Sequence, residues 1–252
     1  SGDIFQNKKI SDIGGKGVFC KQIEEELLES KIDLAVHSLK DLPTQMTKGL
    51  CVEAVVKRND PRDAFISNSN KSFFELEPQS KIGTSSFRRQ AQINLMRNDI
   101  KIVAMRGNID TRINKLKNKE FDAIVLSLAG IQMLNLSNEV KEIFTIEQML
   151  PAIGQGVIAL QCRENDKNIL KILDKINHKE TFFCIQSERA LLEAIGGDCD
   201  TAIGGLAELS NEKISLKSEL FSNDGNKKFE FESSGNFREA ENIGYEVGKK
   251  LL

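Results

Sequence analysis

The chain has 252 residues, of which 40% are hydrophobic and 29% are charged, a composition typical of a globular protein with room for two or three cores. Its 35 basic and 37 acidic side chains nearly cancel, so the whole chain carries no net field that favours nucleic acid or a membrane surface. No apolar run approaches the roughly 18 residues that a membrane-spanning helix needs.

The chain has five cysteines, which are Cys20, Cys51, Cys162, Cys184 and Cys199. They are scattered and form no CxxC pair, which argues against a disulfide framework and against a zinc cluster. We therefore predict a reducing, cytoplasmic location, in which any cysteine with a special role acts alone.

Strands and helices alternate through the first two thirds of the chain. Apolar, β-branched runs predict strands, and the amphipathic stretches between them predict helices. The predicted strands cover residues 34–36, 52–56, 101–105, 123–126 and 157–160, and the predicted helices cover residues 22–28, 88–96 and 112–119. This alternation favours parallel or mixed sheets covered by helices.

The pattern changes after about residue 179. A long helix (180–194) is followed by three strand-like runs and a final helix (238–251). The three runs cover residues 202–209, 213–220 and 228–232. This order is typical of a small α+β unit with an antiparallel sheet.

Two proline-containing segments, residues 57–61 and 150–156, separate strand-like runs and predict crossovers between lobes. A chain that leaves one α/β lobe and later returns to it needs two such crossovers. We therefore predict three domains, formed by residues 1–56 with 157–175, by residues 62–150 and by residues 179–252.

The predicted helix 88–96 follows three hydroxyl residues, Thr84, Ser85 and Ser86, and begins with Arg88 and Arg89. The hydroxyls can cap the helix, and its positive end can bind an anion. Arginine in a first turn is unfavourable for the helix itself, which favours a ligand role for both arginines. A solvated helix cap is the alternative.

A second strand-to-helix turn carries Arg106 and Arg112. Residues 81–120 hold ten basic and three acidic side chains, a net charge of +7. Arginines at the carboxyl ends of strands would converge on one crevice, and their planar fork suits carboxylates and phosphates. The predicted partner is a polyanionic small molecule. Nucleic acid is disfavoured because stacking aromatics are scarce, with one Tyr and no Trp.

Ser38, Lys40 and Asp41 follow the predicted strand 34–36, so they would lie at the same crevice. Asp41 could accept a hydrogen bond from a substrate N–H, stabilise a developing cation or transfer a proton. Cys199 lies on a glycine-rich loop between two acids, which do not favour a thiolate. A covalent anchor and a small buried hydrophobe both remain open for Cys199.

These segments resemble the motifs of the porphobilinogen deaminase family in order and spacing. The motifs are IGGKGVF (13–19), DLAVHSLKDLP (33–43), DPRDAF (60–65), GTSSFRR (83–89), RGN (106–108) with TR (111–112), FDAIV (121–125), LPAIGQG (150–156) and GGDC (196–199). The resemblance spans nearly the whole chain. The Arg-x-Ser pair of the family's first strand has no match here, and Ala202 stands where the family often has proline.

The resemblance implies two lobes like those of a type II binding protein, a small α+β third domain, and a dipyrromethane cofactor held to Cys199 by a thioether. It implies a cytoplasmic, monomeric hydroxymethylbilane synthase that condenses four porphobilinogen units for haem biosynthesis. By motif, Asp41 is catalytic. The implied cofactor contacts are Ser38, Lys40, Thr84, Ser85, Ser86, Arg88, Arg89 and Arg112. The implied substrate contacts are Lys16, Arg106, Asn108, Arg112 and Gln155.

The alternative is a two-lobed solute-binding or effector-sensing module for a polycarboxylate. This hypothesis explains the arginines and the crossovers but gives no role to Asp41 or Cys199. A cysteine hydrolase is a weaker alternative, because His37 and His178 are the only histidines and neither is a plausible partner for Cys199.

Overall fold

The computed structural model describes residues 17–69, 71–198, 201–222, 225 and 227–252; the predicted site residues Lys16 and Cys199 lie outside them. The α-helices are α1 (Gly17–Leu28), α2 (Phe87–Met96), α3 (Ile109–Lys117), α4 (Leu128–Met133), α5 (Lys167–Ile176), α6 (Lys179–Ala194) and α7 (Ala240–Leu251). The strands are β1 (Ala35–Ser38), β2 (Leu50–Val55), β3 (Asp63–Ser67), β4 (Lys81–Gly83), β5 (Lys101–Val103), β6 (Ala123–Ser127), β7 (Glu142–Ile143), β8 (Ile158–Arg163), β9 (Ile203–Ser210), β10 (Lys213–Phe221) and β11 (Lys228–Asn236).

The first sheet has the order β1–β8–β2, and both pairings are antiparallel. Its strands coincide with three of the predicted runs, although each end differs by a few residues. The strand after the second crossover therefore lies between two strands that precede the first crossover. The chain leaves this sheet and returns to it, as two crossovers require.

The second sheet has the order β5–β4–β6–β3–β7. Strand β4 pairs in parallel with β5 and β6, whereas β3 pairs antiparallel with β6 and β7. The sheet is therefore mixed. The carboxyl ends of β4 and β6, which are parallel neighbours, point to the same edge and lead directly into α2 and α4.

The third sheet is an antiparallel meander in the order β11–β10–β9, and α6 and α7 pack together against it. The two helices approach closely at Gly244, where an added Cβ would lie 2.1 Å from the Ser187 carbonyl oxygen. The predicted fold class, α/β with a small α+β third unit, is confirmed. Within the described residues, no helix combines the length and the apolar character needed to cross a membrane.

The two crossovers, residues 57–61 and 150–156, lie side by side. The Asn59 N–H donates to the Gly156 carbonyl oxygen at 2.9 Å. Gly156 has a φ of +81°, and an added Cβ would lie 2.6 Å from the Asn59 carbonyl oxygen. Any larger residue at position 156 would therefore strain the backbone and force the crossovers apart.

Four short elements, β3, β7, α4 and α5, were not among the sequence predictions. Every residue of β3 is buried, so its sequence DAFIS has none of the alternation that reveals a strand with one exposed face. The strands of each sheet all come from a single one of the three predicted domains. The predicted domain limits themselves stay a prediction.

Candidate active site

A cleft of about 590 Å³ lies where the carboxyl end of β1, the two crossovers and the edge of the second sheet meet. Its lining includes nine polar residues, which are Ser38, Lys40, Asp41, Asn59, Arg89, Asn108, Asp110, Arg112 and Ser127. Six of them, Ser38, Lys40, Asp41, Arg89, Asn108 and Arg112, are predicted site residues, and these six come from three separate segments of the chain. One arginine from each basic turn, Arg89 and Arg112, therefore lines the crevice as predicted, whereas Arg88 and Arg106 do not.

Lys40 and Asp41 are positioned by a single 3-10 turn, Leu39–Asp41, which follows β1 directly. Leu39 is buried, and its N–H donates to the Val157 carbonyl oxygen at 2.9 Å. The Leu42 N–H closes the turn on the Leu39 carbonyl oxygen at 3.0 Å. Because the leucines on either side are buried, the two charged side chains between them face the cleft.

Arg88 and Arg89 share one buried carboxylate, Asp63, at the start of β3. The Arg89 Nη2 atom lies 2.7 Å from Asp63 Oδ1, and Arg88 Nη2 lies 2.8 Å from Oδ2. Burial alone would raise the pKa of Asp63, but the two guanidinium groups lower it to about 2. Two cations face one anion here, so this cluster keeps a net positive charge.

The two arginines differ in their access to the cleft. Arg89 lines it, while its Nη1 donates to the Val125 carbonyl oxygen at 3.0 Å. Arg88 lies behind this wall and donates to the Leu150 carbonyl oxygen at 2.7 Å. Arg88 thus anchors α2 to the second crossover, and its predicted contact with the cofactor stays a prediction.

Gln155, on the second crossover, connects the cleft to this cluster. Its Nε2 donates to Asp63 Oδ1 at 3.0 Å and to the Pro61 carbonyl oxygen at 2.6 Å, and its Oε1 accepts from Lys40 Nζ at 3.5 Å. Gln155 is 1% exposed. It therefore holds Lys40, both crossovers and β3 in one hydrogen-bond network.

Lys40 and Arg112 are cations in a partly dehydrated site. Burial, with help from Arg89, lowers the pKa of Lys40 to about 8, although Asp41 and Asp63 oppose the shift. Burial and Arg89 also lower the pKa of Arg112, against the attraction of Asp41. Because Arg89 helps to lower the pKa values of both cations, an anion that enters the cleft would relieve the repulsion that each of them has with Arg89.

The hydroxyls of Thr84, Ser85 and Ser86 serve the framework around the start of α2. Ser86 caps the helix by accepting from the Arg89 N–H at 3.5 Å, and Thr84 Oγ1 accepts from the Ser86 N–H at 3.2 Å. Ser85 Oγ donates to the Met105 carbonyl oxygen at 2.8 Å. The helix-cap interpretation therefore accounts for these contacts, and the predicted cofactor contacts of the three hydroxyls stay predictions.

Arg106 and Asn108 lie on the turn between β5 and α3. Asn108 is the N-cap residue of α3 and lines the cleft, so the positive end of this helix faces the cavity. Arg106 is half-buried and is not among the residues that line the cleft. Its predicted substrate contact stays a prediction.

Comparison with known proteins assigns the chain to a family. The family model "Porphobilinogen deaminase, dipyromethane cofactor binding domain" matches residues 1–171, and "Porphobilinogen deaminase, C-terminal domain" matches residues 182–252. The chain belongs to the porphobilinogen deaminase family. A relative of this name from Syntrophomonas wolfei is 42% identical over 100% of this chain and 82% of its own length. Another from Rickettsia bellii is 45% identical over 100% and 85%.

The fold also resembles solved structures only distantly. The methionine-binding protein MetQ is 15% identical, with a TM-score of 0.42, and the match covers 60% of this chain and 72% of that one. A likeness of this extent supports no conclusion about function.

The cleft suits the cofactor of the porphobilinogen deaminase family. A dipyrromethane carries acetate and propionate carboxylates, and the cleft offers Lys40, Arg89 and Arg112 to pair with them. Its volume of about 590 Å³ lies within the roughly 300–1,000 Å³ of small-molecule sites. Asp41 is left as a carboxylate in a mainly cationic lining, where it can face the N–H groups of pyrrole rings.

Two acidic residues that support the site were not predicted from the sequence. Asp63 lies within the DPRDAF motif, where a carboxylate at the start of a fully apolar run signals a buried charge that needs a cation. Glu188 lies on α6 at i+4 from Cys184 and at i−3 from Leu191, both of which are buried. A glutamate on the apolar face of a helix gives the same signal.

Proposed function

We propose that this chain is a hydroxymethylbilane synthase, which deaminates four porphobilinogen units and condenses them head to tail into a linear tetrapyrrole. Two carboxylates line the cleft, Asp110 in the first turn of α3 and Asp41 beside Lys40. The observation that carries the proposal is Asp41, which shares the lining with Lys40, Arg89 and Arg112. A pure binder of polycarboxylates gains nothing from a negative charge at that point. The match to the family over both of its domains supports the same conclusion.

Asp41 has the central role in this proposal. Each condensation breaks the bond between the substrate's methylene carbon and its amino nitrogen, so that ammonia leaves and positive charge develops on the pyrrole. A carboxylate beside the ring stabilises that charge and can accept a hydrogen bond from the pyrrole N–H. The carbon–carbon bond then forms at the exposed methylene carbon, and a ring proton is lost.

The cations of the cleft hold carboxylates and thereby orient the rings. Lys40, Arg89 and Arg112 are the groups that reach the cavity, and Ser38 and Asn108 add polar contacts at its rim. Arg88 and Gln155 act from behind the lining. Arg88 fixes Arg89 through Asp63, and Gln155 bonds directly to both Asp63 and Lys40. Lys16 and Arg106 are assigned to substrate binding from their motifs.

The dipyrromethane, when bound, supplies the terminal pyrrole to which new units are joined, and we assign Cys199 as its anchor. Cysteine is the natural choice, because a thiolate is a far better nucleophile than a hydroxyl at neutral pH. No disulfide joins the four cysteines among the described residues. A reducing, cytoplasmic location is part of the proposal. A monomeric state and the absence of nucleic-acid and membrane partners remain parts of the proposal.

Cys199→Ser is expected to abolish attachment of the cofactor and formation of product. Intact-mass measurement of the full-length protein should give the sequence mass plus two linked pyrrole units for the wild type and the bare sequence mass for the variant. Cys51→Ser is the matched control, because Cys51 is half-buried on β2 and is not part of the cleft lining. An unmodified wild type, purified from cells that make porphobilinogen, would overturn the assignment.

The pKa of Lys40 predicts a pH dependence of substrate binding. This pKa is lowered to about 8, so the lysine loses its charge as the pH rises from 7 to 9. The KM for porphobilinogen should therefore rise by up to about tenfold over this interval, the most that loss of one required charge can cause. Lys40→Arg stays charged throughout and should flatten the dependence. An equally steep rise of KM in Lys40→Arg would assign the effect to another group.

A further inference from the structure

The segment that follows Asp41 is tied to the third unit of the fold by three hydrogen bonds. Thr44 Oγ1 donates to the Gly197 carbonyl oxygen at 3.0 Å. Arg189 Nη2, from α6, donates to the Pro43 carbonyl oxygen at 2.8 Å and to the Thr44 carbonyl oxygen at 2.7 Å. Residues 153 apart in sequence are thus held together at the side of the cleft.

Both ends of this connection lead to groups that the proposed function uses. Thr44 is three residues beyond Asp41, and the short segment between them is fixed by the buried side chain of Leu42. Gly197 is two residues before Cys199. The contacts therefore join the turn that carries the carboxylate to the loop that leads to the anchor.

The guanidinium group of Arg189 serves this contact. Within the described part of the chain it forms no ion pair, and burial lowers the pKa of its guanidinium group. A partly buried cation that donates to two consecutive carbonyl oxygens fixes the path of the backbone there. Thr44 adds a single side-chain donor on the same stretch, so the two residues act on the same connection between residues 43–44 and the third unit.

We propose that Thr44 and Arg189 are positioning residues, which hold the segment after the Asp41 turn against α6 and Gly197, two residues before Cys199 in the sequence. The proposal rests on the proposed function. The expected consequence is a change in rate. The Asp41 carboxylate acts on the pyrrole ring that lies opposite it, so a loosened connection would misplace the carboxylate relative to that ring. No group that binds the substrate would be removed. A misplacement of about 1 Å is enough to lower a rate by roughly 100-fold.

The test uses Thr44→Val and Arg189→Met, which keep side-chain volume and remove the donors. Each is expected to lower kcat for product formation by roughly 10- to 100-fold, with KM near the wild-type value and the cofactor still attached by intact mass. Thr44→Ser keeps the hydroxyl and should restore kcat. The double variant should be little worse than Arg189→Met alone, because both changes release the same connection.

Arg163→Met is the matched control. Arg163 also donates to two carbonyl oxygens, those of Leu27 at 2.9 Å and Ile32 at 2.7 Å, and it forms additional ion pairs with Asp33 and Asp166. It belongs to β8 and is not part of the cleft lining. It should lose thermal stability and keep its kcat. If Thr44→Val and Arg189→Met behave like Arg163→Met, the connection is structural and the proposal is wrong.

The other possible outcomes also test the proposal. A raised KM with unchanged kcat would make the two residues part of binding and would overturn the positioning role. If the wild type is active and both variants keep its kcat, the positioning role is wrong and the proposed function is unaffected. A full-length wild type with neither adduct nor product would overturn both.

Discussion

Asp41→Asn is expected to lower turnover by at least roughly 100-fold, the scale of a single electrostatic catalytic group, while cofactor attachment and substrate binding stay near normal. The amide keeps the shape and hydrogen-bonding capacity of the carboxylate and removes its charge. That charge is felt in the cleft, since it opposes the lowering of the pKa of both Lys40 and Arg112. Its removal takes a negative charge away from beside those cations, where positive charge must develop.

The measurement is kcat and KM for porphobilinogen, with the wild type and the variant compared under the same conditions. Asp110→Asn is the matched control: Asp110 also lines the cleft and is exposed like Asp41, but it lies in the first turn of α3, where its charge faces the positive end of that helix. It should turn over at close to the wild-type rate. Unchanged turnover in Asp41→Asn would remove Asp41 from the mechanism, and loss of binding alone would favour the solute-binding alternative.

The parts of the site that sequence could predict are those encoded by neighbouring residues. Ser38, Lys40 and Asp41 follow closely on an apolar run, and Arg88 and Arg89 follow three hydroxyl residues with Phe87 between them. A strand that ends in polar residues places them at a sheet edge wherever the rest of the chain goes. For this reason the sequence alone could predict which residue types line the cleft.

The pairing of these groups could not be read in the same way. Asp63 precedes Arg89 by 26 residues, and only the order of the second sheet brings β3 beside the start of α2. Sequence therefore assigned both arginines to a ligand, whereas the structure gives each of them a share of one internal carboxylate. The net positive charge that can attract a ligand results from this arrangement, and no local sequence pattern predicts it.

Glu188 illustrates the same limit at longer range. Arg58, on the first crossover, donates through Nη1 to Glu188 Oε1 at 2.7 Å and through Nη2 to Oε2 at 2.9 Å, across 130 residues of sequence. The Gly154 N–H, on the second crossover, donates to Oε2 at 2.8 Å, and the Ala207 N–H, on β9, donates to Oε1 at 2.9 Å. One carboxylate thus joins both crossovers to the third sheet.

Glu188→Gln is expected to destabilise the protein by about 3–5 kcal/mol, because the variant leaves the Arg58 charge buried and uncompensated. The Arg58 side chain is only 14% exposed and that of Glu188 is 0% exposed, so water cannot replace the lost partner. The amide also offers one acceptor oxygen where the carboxylate offers two, so one backbone N–H loses its bond. For a chain of this size the melting temperature should fall by at least roughly 6 °C.

Differential scanning calorimetry of the variant beside Glu193→Gln tests this expectation. Glu193 lies five residues further along α6 and is exposed, so the same substitution there should change stability by no more than about 0.5 kcal/mol. Arg58→Met combined with Glu188→Gln should recover part of the loss, since the double variant buries no unpaired charge. A Glu188→Gln protein as stable as Glu193→Gln would show that the crossovers are held by other contacts.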